Sequence, residues 1–157
     1  MTDTAPGAAA PRTLAGKTAL ITGGTDGIGL HTACGLAAMG AFVIVTGRDP
    51  QRGARAATQI AAAGGHDQVS FIQADHATVG ANQDLARQLR DLLSALDVLV
   101  NNVGRVFPAR HETADGYEAT LALCFAGPAA LTEGLLPLLT QTPGARVVNM
   151  SSSAYKM

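Results

Sequence analysis

The stretch TGGTDGIG (residues 22–29) sets glycines at 23, 27 and 29, between a short apolar run and a helical one. Glycines at such a turn let the backbone approach a pyrophosphate closely. The helix N-terminus that follows offers free N–H groups and the positive end of its dipole. No lysine follows as a triphosphate-binding P-loop requires, so the chemistry indicated is dinucleotide binding. Further on, Gly47-Arg48 ends a second apolar run. A guanidinium there suits the 2′-phosphate of NADP, whereas an acid would meet the ribose hydroxyls of NAD. Asp49 follows directly and would favour NAD if it turned inward, although capping the next helix is its better-supported role. NADP is therefore expected ahead of NAD. A third candidate stretch closes the chain, RVVNMSSSAYKM, with serine, tyrosine and lysine in a row. Tyr155 and Lys156 are adjacent, however, and adjacent residues diverge where one helical turn between them would put both on one face.

The elements that must position these residues alternate along the chain. TALIT (18–22) reads as a buried strand, and a helix follows from about Gly27 to Met39, stopped by Gly40. AFVIVTG (41–47) is a second strand. Asp49 as N-cap, Pro50 at the first helical position and Gly64-Gly65 at the exit frame a second helix. VSFIQAD (69–75) is a third strand, and 82–94 a helix with Leu85, Leu89, Leu92 and Leu93 on one face. DVLVNNVG (97–104) is the fourth strand and its exit. Thr113 is a possible N-cap for a helical region from about 114 to 139, in which Pro128 suggests a bend. ARVVNMS (145–151) is the fifth strand. Strict alternation implies right-handed crossovers and an α/β fold, a Rossmann-type doubly wound parallel sheet in the order 3-2-1-4-5.

Composition limits the remaining possibilities. The 157 residues are 47% hydrophobic and 15% charged with a formal net charge of −1, which offers no broad attraction for nucleic acid or an anionic membrane. The first fourteen residues read as a disordered leader, with neither the positive start nor the apolar segment of a signal peptide. No stretch is read as reaching the roughly 20 apolar residues of a membrane span, so a soluble, cytoplasmic protein is expected. Cys34 and Cys124 show no metal-ligand spacing, and no metal site is expected. Cys34 reads as a small buried hydrophobe. His31, His66 and His111 read as surface or packing residues.

Taken together these motifs resemble the short-chain dehydrogenase/reductase family. TGGTDGIG is similar to its cofactor loop, NNVG (101–104) to its Asn-Asn-Ala-Gly motif with Val103 for the alanine, QAD (73–75) to its third-strand exit, and VVNMSS (147–152) to the strand that delivers its serine. The resemblance implies an oxidoreductase moving a hydride between NADP(H) and a small-molecule carbonyl or alcohol. It implies that Thr22, Gly23, Thr25, Gly27, Ile28 and Gly29 bind the cofactor. Arg48 would meet the 2′-phosphate, Asp75 and His76 would flank the adenine, and Asn101 and Gly104 would shape the wall beside the nicotinamide ribose. Ser152 is the implied catalytic serine, with Ser151 or Ser153 if the register slips by one.

Two departures from the family pattern stand out. Cys124 falls where the family's long helix carries an asparagine that supports a proton-relay water, and a thiol is a poor substitute; plain helix packing is its other reading. The family's Tyr-x-x-x-Lys is not met by Tyr155 and Lys156. The expectation is a dinucleotide-binding domain over 15–157, C-terminally incomplete and truncated after its fifth strand, inactive alone, and homo-oligomeric only in a longer form. Val147 and Val148 would then lie on an unshielded edge. The alternatives are a non-catalytic dinucleotide-binding module or sensor, and a degraded remnant.

Overall fold

The computed structural model describes residues 13–152. Most of the expected leader, and Ser153, Tyr155 and Lys156, lie outside the described residues. Its elements are β1 (Thr18–Ile21), α1 (Gly27–Ala38), β2 (Phe42–Gly47), α2 (Pro50–Gly64), β3 (Val69–Gln73), α3 (Val79–Leu92) and β4 (Val98–Asn101), then α4 (Ala119–Leu121), a π-helical turn (Ala122–Ala126), α5 (Gly127–Gln141) and β5 (Arg146–Asn149). All strand pairs are parallel, in the order β3-β2-β1-β4-β5, as the alternation predicts.

Because successive strand side chains point to opposite faces, the short apolar runs feed two cores at once. Ala19, Ile21, Val43, Val45 and Val100 pack with Ala33 and Ala37 of α1 and Ala56 and Ile60 of α2. Leu20, Ile44 and Leu99 face the other way, onto Leu85 and Leu89 of α3 and Leu131, Leu135 and Leu138 of α5. Leu14, assigned to the leader from sequence, is instead part of the fold. Its N–H donates to Met39 O at 2.9 Å and its side chain packs on the first of these cores.

Local signals set most boundaries. Asp49 Oδ1 accepts from the N–H groups of Gln51 and Arg52 (2.8 and 3.2 Å), Pro50 occupies the first turn, and Gly65 closes α2 in the left-handed conformation. The third helix starts earlier than expected, at Val79, because Thr78 Oγ1 caps it through Ala81 N–H (3.2 Å). Its buried stripe is Asn82, Leu85, Ala86 and Leu89, whose helical continuation is position 93. Leu92 therefore falls off that face and is exposed, contrary to the expected pattern.

The region after β4 differs most from expectation. Residues 112–118 form a turn, with a bridge between Glu112 and Glu118 and Gly116 at φ 78°, so Thr113 caps nothing and the helix waits until Ala119. Glu118 caps it instead, accepting from Thr120 and Leu121 N–H at 3.0 and 2.9 Å. The irregularity expected at Pro128 lies just before it, as the π-helical turn. Ala119–Gln141 is helical over 23 residues and is long and apolar enough to cross a membrane by length and composition, which corrects the reading that no stretch comes near. In the fold one face of that helix packs on the sheet and α3.

Candidate functional site

A doubly wound sheet opens a crevice where its strand order reverses, here at the carboxyl ends of β1 and β4. A cleft of about 1030 Å³ lies there, walled by the loops after β1, β2, β3 and β4. From the β1 loop come Gly23, Thr25, Gly27, Ile28 and Gly29, and from the strand ends Arg48, Asp75, His76 and Gly104. Thr22, Asn101 and Ser152 are not among the lining residues.

Thr22 is buried and acts as a clasp between the two diverging strands. Its Oγ1 accepts from the N–H groups of Asn102 (3.0 Å) and Val103 (3.1 Å). Asn102 Nδ2 donates back to Thr22 O (2.9 Å) and Gly23 O (3.3 Å). Asn102 is thus the asparagine of the Asn-Asn pair that faces the cleft, a residue passed over in the sequence. The alternation along a strand would have separated it from its neighbour. Asn101 faces away and donates to Asn149 Oδ1 (2.8 Å) and Thr132 Oγ1 (3.0 Å), joining β4 to β5 and α5. Its Oδ1 is buried without a hydrogen-bond partner among the described residues. Asn149 opposes Asn101 in the β4–β5 register, so this contact fixes the strand end that leads to exposed Ser151 and Ser152.

The glycines fit close approach to a ligand. Gly23 adopts φ 65° and Gly27 φ 51°, conformations open to glycine at little cost. A Cβ on Gly29 would stand 2.5 Å from both Gly23 O and Asn102 Nδ2, so the helix could not draw up to the loop. A Cβ on Gly27 would meet no atom within 4 Å, on the cleft wall. The first-turn amides of α1 have no intrahelical acceptor; Asp26 takes that of Gly27 at 2.7 Å and pairs with Arg52 through its other oxygen. The residues present fit a dinucleotide: a bare glycine cradle, a helix N-terminus, and two guanidinium groups, Arg48 and Arg52, on one rim.

Asp49 also reaches this rim, but its Oδ1 is engaged in capping α2. Asp75 lines the cleft and accepts from Ala77 N–H (3.0 Å). His76 is buried with both ring nitrogens engaged, on Thr46 Oγ1 (2.8 Å) and Asn82 Oδ1 (2.7 Å). Burial pushes its pKa down, against the hydrogen bond it donates to Asn82 and the nearby Asp75 charge. Cys124 lies in the π-helical turn, exposed, its thiol 3.7 Å from Arg105 O beside the cleft loop, so plain packing does not describe it. Cys34 is half-buried against the core, and burial raises its thiol pKa. A ring N–H of each of the other histidines donates to a backbone carbonyl: His31 to Gly27 O (2.8 Å) and His111 to Ala109 O (3.0 Å) within their own segments, and His66 to Ala37 O (3.0 Å) of α1.

A family model described as short chain dehydrogenase matches residues 17–157. Polyprenol dehydrogenase of Mus musculus is 38% identical over 144 residues, covering 89% of this chain and 43% of that protein. The rhamnolipids biosynthesis 3-oxoacyl-acyl-carrier-protein reductase of Pseudomonas aeruginosa is 37% identical, over 90% of this chain and 56% of its own. Among solved structures, the Pseudomonas aeruginosa RhlG/NADP active-site complex superposes with a TM-score of 0.78 at 35% identity, over 90% of this chain and 56% of the other. The chain spans about half the length of the curated relatives it matches.

Proposed function

The chain belongs to the short-chain dehydrogenase family, and on that premise we propose that it binds NADP in the cleft at the strand ends and serves hydride transfer to or from a small carbonyl or alcohol. The observation that carries the cofactor choice is Arg48, on the cleft wall at the end of β2, beside an Asp49 whose carboxylate is engaged in capping α2. The 2′-phosphate gains a planar, permanently charged donor fork, and the nearest acid is held by backbone amides. When bound, the dinucleotide supplies the hydride donor or acceptor at its nicotinamide. The glycine loop and α1 N-terminus hold the pyrophosphate. Ser152, on the segment that Asn101 and Asn149 pin, donates a hydrogen bond through its hydroxyl proton to the substrate oxygen.

Within the 157 residues no tyrosine has a lysine four positions on: Tyr117 is followed by Leu121, and Tyr155 neighbours Lys156. We therefore expect this chain to bind cofactor without turnover. Its free thiols support a reducing, cytoplasmic setting, and the burial of one face of Ala119–Gln141 on the sheet supports work away from a membrane.

Fluorescence titration of the 157-residue chain with NADPH and NADH tests the reading. NADPH should bind about tenfold tighter, the scale of one charge-assisted hydrogen bond, and Arg48→Ala should bring the two affinities together. An unchanged ratio in that variant removes Arg48 from the assignment. NADPH-dependent carbonyl reduction by the wild-type chain, lost in Ser152→Ala, would overturn the expectation of binding without turnover.

A further inference from the structure

The glycine loop is held from behind by a directed chain of hydrogen bonds. Thr46 at the end of β2, His76 after β3 and Asn82 of α3 are all buried. Asn82 Nδ2 donates to two carbonyls, His76 O (3.2 Å) and Thr78 O (2.7 Å), which fixes the amide and leaves its Oδ1 facing the imidazole. A carbonyl oxygen can only accept, so the 2.7 Å contact puts a proton on His76 Nδ1. In the neutral ring Nε2 is then an acceptor, and Thr46 Oγ1 at 2.8 Å donates to it. With its hydrogen so directed, Thr46 Oγ1 turns a lone pair to Gly23 N–H at 3.3 Å. Gly24 N–H is held by the same residue, through Thr46 O at 3.2 Å.

The fourth element in contact is α5. A Cβ on its first residue, Gly127, would stand 2.7 Å from His76 O and 2.9 Å from Asn82 Nδ2, so the helix closes directly over the network. Burial disfavours the charged imidazole. A second ring proton would also face the Thr46 hydroxyl, turning the relay around.

We propose that His76 is a positioning residue for the dinucleotide loop, orienting the Thr46 hydroxyl as the neutral Nδ1–H tautomer so that Thr46 fixes the Gly23 amide. The proposal rests on the reading that the cleft binds a dinucleotide. It assigns His76 an action through the loop, since both of its ring nitrogens are already engaged away from any ligand.

The test uses the 157-residue chain with Thr46→Val, Thr46→Ser, His76→Phe and His76→Gln, titrated with NADPH and NADH, together with nitrogen-15 NMR of the imidazole. Thr46→Val and His76→Phe should weaken both dinucleotides alike, by about fivefold, the scale of one ordinary hydrogen bond. The NADPH to NADH ratio should hold, because the loop meets what the two share. Thr46→Ser keeps the hydroxyl and His76→Gln can both accept from Thr46 and donate to Asn82, so each should restore most of the affinity. The spectrum should show the Nδ1–H form. Folded Thr46→Val and His76→Phe variants that bind as wild type does, or an Nε2–H tautomer, would overturn the role of His76. Should His76→Phe not fold, the Thr46→Val and Thr46→Ser pair decides alone. A wild-type chain that bound neither dinucleotide would instead overturn the cofactor reading.

Discussion

Neighbouring asparagines divide the work at the end of β4. Asn102 clasps the glycine loop through Thr22 O and Gly23 O, while Asn101 ties β4 to β5 and α5. The motif NNVG marks this as a functional corner in the sequence alone, but which amide faces the cleft depends on where the strand ends, and that is a matter of pairing with β5. Thr22 shows the same limit: as part of TGGTDGIG it reads as a ligand residue, yet its hydroxyl is taken by two backbone amides from the far side of the crevice. His76 yields a direct prediction. Its folded pKa is held below the ordinary value of about 6.5, so as pH falls the unfolded chain takes up a proton before the folded one does. The stability it supports is full above about pH 6.5 and is lost as pH drops through the folded value. Thermal unfolding measured from pH 8 to 5 should show this decline in the wild type, and His76→Gln should lack that part of it. Parallel curves for the two proteins would mean that the imidazole takes no part.

At the scale of elements, α3 and α5 pack closely against one another. A Cβ on Gly134 would lie 2.6 Å from Ala86 Cβ, so the two helices meet where one of them has no side chain. Gly134→Val should force them apart and cost about 1–3 kcal/mol, as overpacking does, read from urea denaturation as a lowered midpoint with an unchanged slope. A midpoint at or above that of wild type would show that the helices can slide. Strands and the first two helices were legible because each is bounded by local chemistry: apolar β-branched runs, the Asp49 cap with Pro50, the left-handed Gly65. The segment between β4 and α5 was not. Its helix start is set by Glu118 and by a bridge from Glu112 to Glu118, a pairing that no local propensity announces. The Leu92 misplacement has a similar origin, since Asn82 is buried to serve His76 and so rotates the apolar stripe.

For the molecule as a whole, fold class and strand order follow from alternation, because handedness and crossover rules leave few other topologies. Substrate recognition was not legible, as the residues at the mouth of the cleft lie on the irregular loop after β4, where Arg105 stacks on Phe107 and Phe107 meets His111 edge-on. Among the described residues one edge of the sheet is β5, all four of whose residues are exposed, Val147 and Val148 among them. A bare apolar edge invites pairing with another copy, so Val148→Lys should lower self-association of the 157-residue chain in light scattering while leaving its melting temperature close to that of wild type; equal scattering would place the association elsewhere. The position of β1 has a further effect, on how the molecule comes into being. One flank of β1 is matched early, by β2, but the other is closed only by β4, through contacts such as Thr18 N–H to Asp97 and Lys17 to Asp97 some 80 residues on. At ribosomal speeds of about 5–20 residues per second that flank waits roughly 4–16 s for its partner. The crevice between β1 and β4 is therefore the last part of the sheet's centre to close, and until then the nascent chain presents Ala19, Leu20 and Ile21, all buried in the finished fold, to whatever else is nearby.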